Sequence, residues 1–141
     1  MLSEIAGSTK EELKNAKIIK TEAEKVLKLD PEHSEAHYVL GRWHEKLSDL
    51  AWYEVSAAKV LFGGVPEGAS FEKAIYHYKR AISIRPWYVL YYFGIAETYV
   101  AMDEKQKAIT VLEKAVNMKI VTPDDPRRLR KCRNLLAELK K

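Results

Sequence analysis

Three histidines, His33, His37 and His44, are the residues of this 141-residue chain whose spacing most resembles a metal site, because imidazoles four residues apart share a helix face. His33, however, precedes the expected start of the helix that carries the other two. Two ligands on one helix with no carboxylate nearby are a weak zinc pattern, so packing is the favoured role for His37 and His44. His77 stands alone in the sequence and reads as a surface residue. Gly63 and Gly68 have the spacing of a phosphate-binding loop, but Ala69-Ser70 occupies the place where Lys-Ser/Thr is required and no strand precedes it. That segment reads as a helix-breaking loop. No Ser-His-Asp or Cys-His set occurs at interpretable spacing, and Cys132 is the single cysteine, which rules out an intrachain disulfide. The expectation is a chain with no catalytic residues, no metal and no cofactor, in short not an enzyme.

Charge offers a second kind of chemistry. The net charge is only +4, with acids and bases interspersed, so nucleic acid is not an expected partner. Arg127, Arg128, Arg130, Lys131 and Arg133 nevertheless form the largest cluster of one sign. Their bland role is the solvent face of a terminal helix. Their functional role is attraction to an anionic surface, such as lipid headgroups or the acidic exterior of a microtubule. No run approaches the ~18 apolar residues of a membrane span, and the start MLSEIAGSTK has neither a basic nor an apolar signal region. The lone cysteine leaves the compartment undetermined, with a soluble, cytoplasmic setting favoured.

The elements that position these residues follow a helical rhythm. With 47% hydrophobic residues, the chain suits one domain over residues 1–141. Leu13, Ala16, Ile19, Ala23, Val26 and Leu27 recur at three and four residues, predicting a helix from about Thr9, behind a Ser8/Glu11 capping box, to Leu29. Ser34 is the expected N-cap of the next helix, SEAHYVLGRWHEKL. Ala74, Tyr78, Ala81 and Pro86 then have the offsets of the second helix of a tetratricopeptide hairpin, with small residues for close approach, a tyrosine to fill the gap and a proline to stop the helix. Counted from Ser34, the first of these alanines belongs at residue 53, and it stands 21 residues later, at Ala74. The insertion is itself helix-like from Asp49 to Phe62, apolar around most of its circumference, and ends in the loop GGVPEGA before a Ser70 cap. Further helices are expected over 71–84, 87–101 and 104–117. Thr122, Pro123 and Asp125 start a capping helix whose apolar side is Leu129, Cys132, Leu135, Leu136 and Leu139. The fold class is therefore all-α, of tetratricopeptide-like hairpins with about seven helices. Counting backwards by 34 residues puts the partner of the first helix ahead of Met1, which allows the chain to be a piece of a longer protein.

Helix-face counting turns Tyr92, Ile95 and Tyr99 toward neighbouring helices and leaves Leu90, Phe93, Glu97 and Val100 on an inner, concave face. One repeat earlier the equivalent residues are Glu35, Tyr38, Arg42 and Glu45. Covered by the inserted and terminal helices, these positions would be plain core. Left open, they form a groove with Arg42 as charged anchor, Tyr38, Leu90, Phe93 and Val100 as apolar contacts, and Glu45, Glu97 and Trp52 beside them. A protein or peptide partner is the first expectation for such a groove. An acyl chain, and so a phospholipid, is the alternative.

The insertion sharpens the class to a family. WYEVSAAKVLFGGVPEGASFEKAIYHYKRA, with Trp52-Tyr53, Ala57-Ala58, Leu61-Phe62, Pro66 and Phe71-Glu72-Lys73-Ala74, resembles the interrupted repeat of the regulator of microtubule dynamics proteins. The likeness also takes in Ile18-Ile19-Lys20, Gly41-Arg42-Trp43 and the ending from Thr122 to Leu139. It implies an all-helical repeat domain without enzymatic activity. It also implies roles in microtubule association, organelle tethering or, in one branch, phospholipid binding and transfer.

Overall fold

The structure is a computed structural model that describes residues 2–50, 54–56, 58–59, 64 and 67–141, and of residues 2–10, 12 and 13 the backbone alone. Six helices have defined bounds: α1 (Leu2–Leu29), α2 (Ser34–Ser48), α3 (Phe71–Ile84), α4 (Val89–Ala101), α5 (Lys105–Ala115) and α6 (Asp125–Leu139). Residues 54–56 and 58–59, inside the insertion, are also helical. The all-α expectation holds, and among the described residues there is no strand. Most of the expected inserted helix, Trp52 included, lies outside the described residues.

The helices pack as hairpins, α2 on α3 and α4 on α5, which stack through α3 and α4. One end is covered by α1, which packs on α2, and the other by α6, which lies across both α5 and α4. Helix α4 is central because it is apolar on nearly every side. Eight of its thirteen residues are buried, so it needs, and has, neighbours in α2, α3, α5 and α6. Ala74, Tyr78 and Ala81 of α3 are fully buried, as their spacing predicts.

Tyr78 is the wedge between the hairpins. Its ring lies against Gly41 of α2 and Gly94 of α4, where an added Cβ would sit 2.9 Å and 2.7 Å from ring carbons, closer than van der Waals contact permits. Its hydroxyl donates to Glu45 Oε1 at 2.7 Å, which supplies a partner for a carboxylate only 4% exposed. Burial, reinforced by the Glu45 charge, pushes the Tyr78 phenol well above its usual range.

Helix ends are where structure and sequence expectation part. Helix α1 begins at Leu2 rather than near Thr9, and Ser8 and Glu11 fall inside it. One glycine, Gly7, costs a helix only about 1 kcal/mol and does not end it. At α2 the cap is His33, whose Nδ1 accepts from the Ala36 N–H at 3.1 Å. Ser34 is buried, and its Oγ instead accepts from the Tyr91 hydroxyl at 3.0 Å. Trp87 lies ahead of α4 and is half exposed. Asp103 takes a left-handed φ of 58°, and the N–H groups of Glu104 and Asp103 close onto the carbonyls of Tyr99 and Val100, a two-bond C-terminal cap. Helix α6 starts at Asp125 rather than Thr122. The Asp125 carboxylate reaches back to accept from the Val121 and Thr122 N–H groups at 2.6 and 2.8 Å and from the Thr122 hydroxyl at 2.8 Å. Burial alone would raise its pKa, but these bonds and the Arg128 charge outweigh it and hold the carboxyl below its ordinary value.

Ser70 caps α3 as expected, its Oγ accepting from the Lys73 N–H at 3.0 Å. Ser70→Ala is expected to cost about 1 kcal/mol, read as a lower urea midpoint with an unchanged m-value, while Ser70→Asp leaves the midpoint nearly where it was. Equal losses in both variants would show that the cap contributes nothing.

Candidate functional site

The inner residues of α2 and α4 and the basic face of α6 were separate features of the sequence, and the fold brings them together. Because α6 folds back across α4, Arg127, Arg128 and Lys131 meet Arg42, Leu90 and Phe93 around one pocket of about 110 Å³. Leu90 and Phe93 are the apolar floor, and four cationic side chains form the walls. Arg128 is held in place by an ion pair with Asp124 at 3.7 Å and by its guanidinium lying 4.9 Å from the centre of the Tyr88 ring. Arg42 donates to the Tyr38 hydroxyl at 3.3 Å. Among the described residues no carboxylate lies within ion-pair distance of Arg42, Arg127 or Lys131. The pocket thus presents three cationic side chains that have no ion-pair partner among the described residues.

Beneath it the charge balance is graded. Burial, then the Glu45 charge, raises the Glu97 carboxyl above its usual value, while Lys46, Arg42 and Lys131 pull it back down. Tyr38, partly buried, packs its ring 5.8 Å from that of Tyr78 and 5.4 Å from that of Tyr91, and burial raises its phenol pKa against the pull of Arg42. Glu45 is turned inward to Tyr78 and belongs to the framework under the pocket. Val100 is 38% exposed and does not line the pocket, and Arg130 and Arg133 point to solvent elsewhere on α6. Trp52 lies outside the described residues.

A second concavity adjoins the first. Leu90 also lines a trough of about 560 Å³, more open than enclosed, whose walls are Ile19, Ala23 and Val26 of α1, Ala36, Tyr38 and Val39 of α2, and Tyr88 and Tyr91 beside Leu90. Its polar members are Glu22, His33 and Glu35. Inner-face counting on α2 and α4 missed the α1 wall. The signal for it was present, since Ile19, Ala23 and Val26 belong to the apolar series of that helix.

The histidines form a different assembly. His77 is not an isolated surface residue: its Nδ1 lies 3.0 Å from His37 Nδ1, and its ring is stacked on His44 with centroids 5.8 Å apart. His37 Nε2 lies 2.9 Å from the Pro31 carbonyl and so carries its proton there. With that proton on Nε2, His37 accepts at Nδ1 from the Nδ1–H of His77. The Ser70 N–H reaches His44 Nδ1 at 3.3 Å. Burial, with Lys73 and Lys20 nearby, lowers the pKa of His44 to about 4. Burial and the neighbouring His37 and His44 do the same to His77. Every one of these ring contacts is a packing contact, and among the described residues no three His, Cys, Asp or Glu side chains converge on a point where a metal could sit. Cys132 is fully buried, and burial pushes its thiol up to about 11, which keeps it protonated. On α1, Glu24 pairs with Lys20 at 3.4 Å.

Comparison with known proteins agrees with the resemblance read from the insertion. The family model for Regulator of microtubule dynamics protein 1-3 matches residues 1–140. Regulator of microtubule dynamics protein 1 of Bos taurus is 31% identical over 117 residues, covering 82% of this chain and 37% of that protein. The Homo sapiens protein of the same name is 30% identical over the same share of both chains. The Caenorhabditis elegans protein is 27% identical over 130 residues, 92% of this chain and 57% of its own length. The chain therefore spans little more than a third of the mammalian relatives it matches. Among the described residues no helix is long and apolar enough to cross a membrane. Since the family match runs through all but the last residue, the chain belongs to the regulator of microtubule dynamics family.

Proposed function

We propose that this chain is a non-enzymatic, tetratricopeptide-type interaction domain that holds a protein partner at the junction of α2, α4 and α6, and that it serves the control of microtubule dynamics for which its relatives are named. The observation that carries the reading is the gathering of Arg42, Arg127, Arg128 and Lys131 over the Leu90 and Phe93 floor. Only Arg128 of the four has an ion-pair partner among the described residues, Asp124 at 3.7 Å, and cations gathered so closely raise one another's electrostatic energy, which an incoming anionic group relieves. An apolar floor adds affinity that free anions cannot use. The groups are suited to non-covalent capture: among the described residues that line the pocket, none is a nucleophile paired with a base.

The test places a photo-cross-linking residue at Val100, on the rim of α4, and follows protein adducts formed in cell extract. Adducts are expected to fall at least severalfold when Arg42→Glu and Lys131→Glu are combined. An adduct pattern indifferent to that pair of changes would remove the pocket from the function.

A second reading has its own support in the cationic pocket and the apolar trough sharing Leu90 as a lining residue. An amphiphile with an anionic head and an acyl tail would match that polarity. Native mass spectrometry of the purified chain decides it. A phospholipid that copurifies, and is lost with Arg42→Glu and Lys131→Glu, would put lipid binding in first place.

A further inference from the structure

We infer that the trough and the pocket receive one amphipathic helix of a partner protein, laid in a fixed direction, with an acidic end at Arg42, Arg127 and Lys131 and a basic residue at Glu35. The inference rests on the interaction-domain reading above and adds the shape, charge pattern and direction of the occupant. Three helices wall the trough, and its apolar residues come from all three, so an occupant that offers a stripe of side chains at three- and four-residue spacing can meet every wall at once. The trough is more open than enclosed. A peptide helix tolerates that opening, because its polar face remains in water. An acyl chain would be left wet along its length, against the burial of most of the ligand that small-molecule sites achieve.

Charge sets the direction. Glu35 and Arg42 lie on one face of α2, seven residues apart, which is about 10 Å along the axis. Glu35 has no ion-pair partner among the described residues, and neither do Arg42, Arg127 and Lys131. Glu22, on the opposite wall, is engaged by Lys25 at 3.3 Å and contributes less. Charges of opposite sign, without ion-pair partners among the described residues, therefore stand at two neighbouring concavities that share Leu90. A helix docked the right way round places its acid among the cations and its base at Glu35. The reverse orientation sets like charges together at both ends.

The experiment uses the whole chain and a displayed library of helices of about 18 residues, long enough to hold helical structure, with a fixed leucine stripe and randomised polar positions. Selected sequences are expected to carry Asp or Glu toward one end and Lys or Arg toward the other. A synthetic peptide of the selected sequence is then compared with one whose end charges are exchanged at constant composition. The exchanged peptide is expected to bind at least about tenfold more weakly, by fluorescence anisotropy. Against a chain carrying Glu35→Lys, Arg42→Glu and Lys131→Glu, with its circular dichroism unchanged, the preference inverts. Equal binding of the two peptides, or a preference that survives the three substitutions, overturns the inference while leaving the cross-linking result intact. Failure of every helix to bind, with capture of phosphatidic acid vesicles instead, overturns it in favour of lipid.

Discussion

Replacing Tyr78 with alanine is expected to lower the unfolding free energy by about 3–5 kcal/mol, the range for deleting a fully buried aromatic ring. Set against the roughly 5–15 kcal/mol that hold a domain together, the change leaves the chain close to its unfolding threshold. Two losses combine. The ring is completely buried between α2 and α4, and its hydroxyl is the hydrogen-bond donor to Glu45, whose other partner among the described residues is Lys46 Nζ at 3.8 Å. Tyr78→Phe separates them: it keeps the packing and removes the donor, for an expected loss of about 1–3 kcal/mol. Urea unfolding followed by circular dichroism measures both, and a loss under about 1 kcal/mol for the alanine variant would contradict the wedge.

The same ring makes Gly94 a test with a change of sign. Alanine at this position would gain about 1 kcal/mol in helix propensity, but its Cβ would lie 2.7 Å from Tyr78 Cε1 and 3.0 Å from Cζ. The ring is fully buried and lies against Gly41 as well, so it has little room to retreat and Gly94→Ala should destabilise by about 1–3 kcal/mol. In the Tyr78→Ala background the obstacle is gone, and the same substitution should stabilise. A double-mutant cycle with no coupling between the two sites would rule out this account of why both positions are glycine.

What could be read from the sequence was whatever repeats. Ala74, Tyr78 and Ala81 announced the hairpin because close helix packing demands small residues at fixed spacing, and all three are buried. Helix-face counting grouped Leu90, Phe93 and Arg42, and the three line one pocket. What could not be read was decided by residues far apart in the chain. Ser34 has the chemistry of a cap, but its hydroxyl is taken by Tyr91, 57 residues away, and the task passes to His33. His77 looks solitary because its partners precede it by 40 and 33 residues. The pocket itself combines a groove and a basic helix that sequence reasoning held apart, since only the return of α6 over α4 puts Arg127 and Lys131 beside Arg42.

The histidine assembly carries the other large effect, a loss of stability in mild acid. His44 and His77 have pKa values near 4 in the fold and near 6.5 in an unfolded chain. Between those values the unfolded state binds more protons than the folded one, so the unfolding free energy falls as the pH falls from about 6.5 toward about 4. The first cause for both rings is burial, which disfavours the charged imidazolium, and what faces each ring adds to it. Lys73 and Lys20 stand near His44 and disfavour its charged form, with only Glu24 opposing, while His77 faces His37, His44 and Lys73. A pair wholly shielded from solvent would lose more, but His77 is partly open to water and its lowering is shared with its neighbours, so the two together should remove about 2–4 kcal/mol across the window. Urea midpoints measured from pH 7 to pH 4.5 should therefore drop steadily, and His77→Leu should roughly halve the slope whatever it does to the midpoint at pH 7. A flat profile in the natural chain, or an undiminished slope in the variant, would mean that carboxylates elsewhere, and not this stack of imidazoles, set the acid limit of the fold.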